Sequence, residues 1–144
     1  MRSIIRTAIT KAIYYTIIID STPDITKKDQ FTFLIRYVDV QSDLIPKIKE
    51  SFIKFFTIEN KNAESIYLAI KNIFLESKID FKNCVGQIYD NAATFAGHIS
   101  GVAKRLTYEN KQTALINCCN HSLCLSTKQA AELDNTTKYF FMLI

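Results

Sequence analysis

The sequence predicts an α/β fold built on a mixed sheet, and three observations carry that reading. The run Tyr15-Thr16-Ile17-Ile18-Ile19 is apolar or β-branched throughout and ends on Asp20. Such runs mark strands expected to be buried on both faces, as in sheets with helices packed over them. Two further strand-like segments follow at short spacing, so the first three strands should form an antiparallel meander. After about residue 62 the apolar period changes from two to 3.6, and helices then alternate with strands.

Taken in order, residues 1–12 carry Ile4, Ile5, Ala8 and Ile9 at helical spacing and read as a leading helical segment. The first strand covers about 13–20 and is followed by a polar turn over 21–30 with Pro23. The second strand, about 31–40, sets Phe31, Phe33, Ile35 and Tyr37 on one face against Thr32, Leu34, Arg36 and Val38. Pro46 breaks the connection to a third strand at about 51–57. The aromatic stripes Phe31/Phe33 and Phe52/Phe55/Phe56 are expected in the core.

Ala63, Ile66, Tyr67, Ile70, Ile73 and Phe74 then form one face of an amphipathic helix ending near Ser77. Asn62 is its expected N-cap, and Glu64 lies in the first turn, where the helix dipole favours an anion. A fourth strand, about 84–89, ends on Asp90. A second helix is expected over about 92–106, packing through Ala92, Ala93, Ala96, Ile99 and Val102. A short fifth strand, about 113–118, leads into a third helix that starts near Cys119 and runs past Ala131. The apolar stretch Tyr139-Phe140-Phe141-Met142-Leu143-Ile144 closes the sequence, and a truncated domain is the expectation there.

Composition narrows the classes. With 144 residues, 48% hydrophobic and 22% charged, the chain can bury a single sizeable core and is not of disordered type. The net charge of +4 comes from scattered lysines, which permits a nucleic-acid partner without requiring one. No apolar run approaches the ~18 residues of a membrane span. Cys118, Cys119 and Cys124 crowd together, with Cys84 apart, which suits reduced thiols better than a disulfide framework. Gly86, Gly97 and Gly101 are the only glycines, expected where the backbone needs positive φ or close approach.

The element order β-β-β-α-β-α-β-α is the ribonuclease H-like pattern, in which strand four lies parallel to strand one through a right-handed crossover. Asp20 and Asp90 then fall at the same carboxyl edge of the sheet, where open α/β folds place ligands. A local alternative for Asp20 is capping the turn Ser21-Thr22-Pro23-Asp24. Paired carboxylates suit hard divalent cations, and two ions roughly 3.5–4 Å apart support phosphodiester cleavage. A third acid normally completes such a site. Glu132 and Asp134 are the late acids, and neither is assigned that role.

Three blocks carry a family resemblance: Asp20-Ser21-Thr22-Pro23-Asp24 with Arg36-Tyr37-Val38-Asp39; Gly86-Gln87-Ile88-Tyr89-Asp90-Asn91-Ala92 through Gly97; and Cys118-Cys119-Asn120-His121-Ser122-Leu123-Cys124-Leu125. Together, over about residues 13–128, they resemble the central part of a hAT-superfamily transposase, most closely the zinc finger MYM-type protein 1-like and TTF-type zinc finger group. Relative to that pattern, Ser21 and Pro23 replace Glu and Thr, and Asn91 stands for the usual Gly.

The resemblance implies a partial ribonuclease H-like domain over 13–144, cut before the family's helical insertion. It implies that Asp20 and Asp90 are the first two acids of a DDE triad holding Mg²⁺ or Mn²⁺, with Cys118 and His121 as the family's CxxH element beside the site. It further implies DNA as the partner of intact relatives, a nuclear location, and oligomerisation only through a C-terminal segment beyond this chain. The expected function is that of a transposase catalytic-domain fragment with little activity alone. The alternatives are a domesticated, non-catalytic interaction module, and a metal-dependent nuclease completed by Glu132 or Asp134. Zinc held by Cys118, Cys119, His121 and Cys124 is the minor alternative, because structural zinc usually takes two separated ligand pairs. His121 otherwise reads as a helix-start residue, and His98 as a surface residue.

Overall fold

A computed structural model describes residues 2–23, 29–40, 45–90, 93–97 and 100–132. The expectations placed on Asp24, Asn91, Ala92, His98, Ile99, Asp134 and the apolar stretch 139–144 lie outside the described residues. The elements are α1 (Arg2–Ala12), β1 (Tyr15–Pro23), β2 (Asp29–Asp39), β3 (Lys47–Thr57), α2 (Ala63–Ser77), β4 (Cys84–Tyr89), α3 (Ala93–Ala96), α4 (Val102–Glu109), β5 (Ala114–Asn117) and α5 (Cys119–Glu132). They form one mixed five-stranded sheet in the order β3-β2-β1-β4-β5. β1 to β3 are the antiparallel meander, and β4 and β5 add in parallel on the other side of β1.

The core lies on one face of this sheet. Strand alternation sends Tyr15, Ile17 and Ile19 of β1 and Phe31, Phe33, Ile35 and Tyr37 of β2 into it. Helix α2 lays Ile66, Ile70, Ile73 and Phe74 on that face. The Phe74 ring meets Phe33 edge-on at 5.7 Å and Tyr15 at 6.3 Å, within the range of favourable aromatic pairs. Ile9 of α1 and Val102, Ala103 and Leu106 of α4 join the same cluster. The Asn62 cap forms as expected, its Oδ1 accepting from the Ser65 backbone N–H at 2.8 Å.

The opposite face corrects one expectation. β1 was expected to be buried on both sides, but Thr16 and Ile18 are only half-buried among the described residues. Helices α1, α2, α3 and α4 all contribute to the core cluster that contains Ile17. Phe52 and Phe55 are a second correction: they are 46% and 51% exposed, not core. A β-bulge between Phe33 and Leu34 shifts the β2–β3 register, so Phe56 pairs with Phe31 inside while Phe52 pairs with Leu34 outside. The outward rings of Phe52 and Phe55 rest on each other at 4.6 Å.

The helix expected over about 92–106 is in fact two, α3 and α4. Gly97 and Gly101 separate them. A Cβ on Gly101 would lie 2.6 Å from the Gly97 nitrogen and 2.7 Å from the Phe95 carbonyl oxygen, so the chain folds back on itself there. Among the described residues no glycine has positive φ; that conformation falls to Ile13 and Lys78 instead.

Candidate functional site at the carboxyl edge of the sheet

Asp20 lies in the C-terminal part of β1, and Asp90 directly follows β4. β1 and β4 are parallel neighbours whose ladder includes Ile17↔Gln87 and Ile18↔Ile88. Parallel strands run about 4.8 Å apart. The same register carried two residues further sets Asp90 beside Asp20. Asp20 is exposed and Asp90 is half-buried.

The third block falls on the same edge. β5 pairs in parallel with β4, ending at Tyr89↔Asn117, and the Cys118 backbone N–H donates to the Tyr89 carbonyl at 3.1 Å. Cys118 directly precedes α5, its carbonyl accepting from the Ser122 N–H at 3.1 Å and from the Ser122 hydroxyl at 3.2 Å. His121 sits in the first turn of that helix, half-buried. The turn expected after Asp20 does not form: β1 runs on to Pro23, so Asp20 lies within the strand, just past the last parallel β1–β4 pair at Ile18↔Ile88, while Asp90 and Cys118 directly follow β4 and β5.

The strand that leads to Asp90 is tied in place by its own residues. On the N-terminal side of Asp90, Gln87 and Tyr89 are fully buried and bonded to each other, the Tyr89 hydroxyl donating to Gln87 Oε1 at 2.9 Å. Burial holds the Tyr89 hydroxyl well above the ordinary phenol range, with Cys84 adding in the same direction. On its C-terminal side, Phe95 of α3 stacks on the Tyr89 ring at 4.8 Å. Asn110 fixes the start of β4, its amide donating to the Phe81, Lys82 and Cys84 carbonyls at 2.8–3.3 Å. Sequence reading passed over Asn110. Gln87 and Tyr89 entered it only as letters in a motif, because nothing local shows that a polar residue in an apolar strand is hydrogen-bonded.

Two acids supply hard oxygen donors, which fits Mg²⁺ or Mn²⁺ held jointly with water and substrate phosphate better than an all-protein cage. Among the described residues no group of three or more His, Cys, Asp and Glu side chains converges to hold a metal ion. That includes Cys118, Cys119, His121 and Cys124, which form no zinc cluster; Cys119 and Cys124 are exposed free thiols. Glu132 is the last residue of α5. No helix among the described residues is long and apolar enough to cross a membrane.

A mixed five-stranded sheet with a three-strand meander and parallel flanking strands defines a ribonuclease-like α/β domain. Residues 1–101 match the family described as ZMYM1/FAM200, RNase-like domain, and the chain belongs to that transposase-derived family. The match spans α1 to α3 and contains both Asp20 and Asp90, whereas Cys118 and His121 lie beyond it.

Proposed function

We propose that this chain carries two acids of a hAT-type transposase catalytic site, with Asp20 and Asp90 as ligands for Mg²⁺ or Mn²⁺. The observation that supports this most is that both acids lie two residues past the last pair of the parallel β1–β4 ladder, Ile18↔Ile88, although they are about 70 residues apart in sequence. On this reading the carboxylates approach to within about 4–7 Å, the range in which they share or bracket divalent ions. The bound metal supplies Lewis-acid activation of a phosphodiester. The protein's part is to fix the two carboxylates on a rigid sheet edge and to leave that edge open on the Asp20 side to a DNA backbone. Cys118 and His121 border the site through the first turn of α5. The partner is DNA, and the compartment is the nucleus.

Two-metal chemistry needs both ions held in geometry. With two acids assigned, the chain alone should neither cleave nor join DNA. Its affinity for DNA should be low and should fall steeply with salt, because the +4 charge is scattered and phosphate contacts dominate such binding. The test is nicking of a supercoiled plasmid in Mn²⁺, beside Asp20→Asn and Glu132→Gln. Absence of nicking is expected. Strong nicking abolished by both substitutions would replace this reading with a self-sufficient nuclease using Glu132 as third acid. A second reading, a non-catalytic interaction module, gains from the departures at Ser21 and Pro23 beside the first acid. It predicts no specific divalent binding at Asp20 and Asp90.

A further inference from the structure

We infer that Gln87 and Tyr89 are positioning residues for Asp90: their buried hydrogen-bonded pair locks the end of β4 so that the Asp90 carboxylate meets Asp20 in one fixed geometry. The inference rests on the reading of Asp20 and Asp90 as a metal-binding pair.

The core shows why this pair needs a role beyond packing. Its buried residues are almost all apolar, yet Gln87 is 0% exposed at the centre of β4. An apolar side chain of similar volume would fill the place without any polar group to satisfy. Instead the Gln87 amide nitrogen lies 3.1 Å from the Ala103 carbonyl, 3.0 Å from Thr107 Oγ1 and 3.4 Å from the Thr113 carbonyl. One side chain thus ties β4 to α4 and to the turn that enters β5. Its remaining acceptor, Oε1, is taken by the Tyr89 hydroxyl. Tyr89 passes the constraint to both sides of Asp90, through its ring against Phe95 and through its carbonyl to the Cys118 N–H. Hydrogen bonds are directional where apolar contacts are not, so this network admits one rotation and one translation of the strand end. A metal pair tolerates displacements of only about 0.5 Å.

The structure also supplies a variant that separates positioning from stability. In Tyr89→Phe, Gln87 Oε1 loses its donor and is left buried and unpaired, which destabilises. In the double variant Gln87→Met/Tyr89→Phe both ends of that bond are gone. The Thr107 hydroxyl, 2.9 Å from the Ala103 carbonyl and 3.1 Å from the Thr113 carbonyl, still donates its one proton there, and the buried Oε1 that Tyr89→Phe orphans is no longer present. Stability should therefore recover in the double variant, while the directional lock does not.

The experiment titrates the full chain with Mn²⁺, reading free ion by electron paramagnetic resonance. Wild type, Asp90→Asn, Tyr89→Phe and the double variant are compared, with urea unfolding in parallel. The expected result is loss of the bound fraction in Asp90→Asn, and affinity about tenfold weaker in both Tyr89→Phe and the double variant, the scale seen when residues orienting a metal ligand are removed. Urea midpoints should fall in the single variant and recover in the double. Affinity that stays at wild-type level, or that recovers with stability, overturns the positioning role while the metal reading stands. Wild-type binding in Asp90→Asn overturns the metal reading itself, and the positioning role with it.

Discussion

Glu109 shows how one exposed side chain joins two helices. It accepts from Tyr67 and Lys71 of α2, and the Lys71 ammonium also lies 5.3 Å from the centre of the Phe81 ring. Partial desolvation pushes the Glu109 carboxyl upward, but the hydrogen bonds from Lys71 and Tyr67 outweigh it, and the net shift is down. Tyr67 is pushed up to about 12, chiefly because its hydroxyl donates to that carboxylate. A depressed carboxyl stabilises the fold above the ordinary glutamate range near pH 4.3 and loses that effect as pH falls through the folded value. Wild type should therefore melt above Glu109→Gln at pH 6, and the gap should narrow as pH falls through the acid range. A gap that widens in acid would contradict the assignment. Cys84 behaves in the opposite sense. Burial raises its thiol to about 11, so its contribution is complete below the ordinary thiol range and is lost as pH rises toward that value. Native-state alkylation at neutral pH should label Cys119 and Cys124 and spare Cys84 until the chain unfolds. Rapid labelling of Cys84 in the native state would show the core to be open.

The elements whose period was clean in the sequence are the ones the structure returns. β2 alternates as its residues predict, and α2 begins at its Asn62 cap. What the sequence did not show was set by backbone geometry and not by side-chain pattern. The bulge that brings Phe52 onto the same outward face as Phe55 leaves no mark in the local apolar pattern, because it depends on how β2 and β3 pair. The break between α3 and α4 was signalled only by Gly97 and Gly101, read as tight points without showing that the helix stops there. Gly101→Ala should cost about 1–3 kcal/mol, because its Cβ meets backbone that cannot move aside. Gly86→Ala should cost less, since its nearest atoms belong to the Thr16 and Ile116 side chains. Equal midpoints for wild type and Gly101→Ala in chemical denaturation would refute the close approach. Ile13, a β-branched residue at φ 66° in the α1–β1 junction, stores strain of about 1–2 kcal/mol. Its side chain is mostly exposed, so Ile13→Gly should raise the midpoint. A lower midpoint would mean that the side chain contributes more than the strain costs.

At the scale of the molecule, the meander and the parallel pairing of the fourth strand with the first were legible because topology rules leave few alternatives once a meander is followed by a helical crossover, whereas the place of β5 beside β4 was not. The buried network behind Asp90 was not legible, since it depends on contacts among β4, α4 and the approach to β5 that no single stretch of sequence records. The proposed function requires Asp20 and Asp90 to form one divalent-ion site at the carboxyl edge of β1 and β4. Paramagnetic broadening of backbone amide signals by substoichiometric Mn²⁺ tests it most directly, with Asp80→Asn at the amino end of β4 as a control that keeps its capping role. Selective loss of the amide signals of residues 19–21, Tyr89, Asp90 and Cys118 is expected, abolished in Asp20→Asn and in Asp90→Asn and unchanged in Asp80→Asn. Broadening centred anywhere else, or persisting in both aspartate variants, would contradict it.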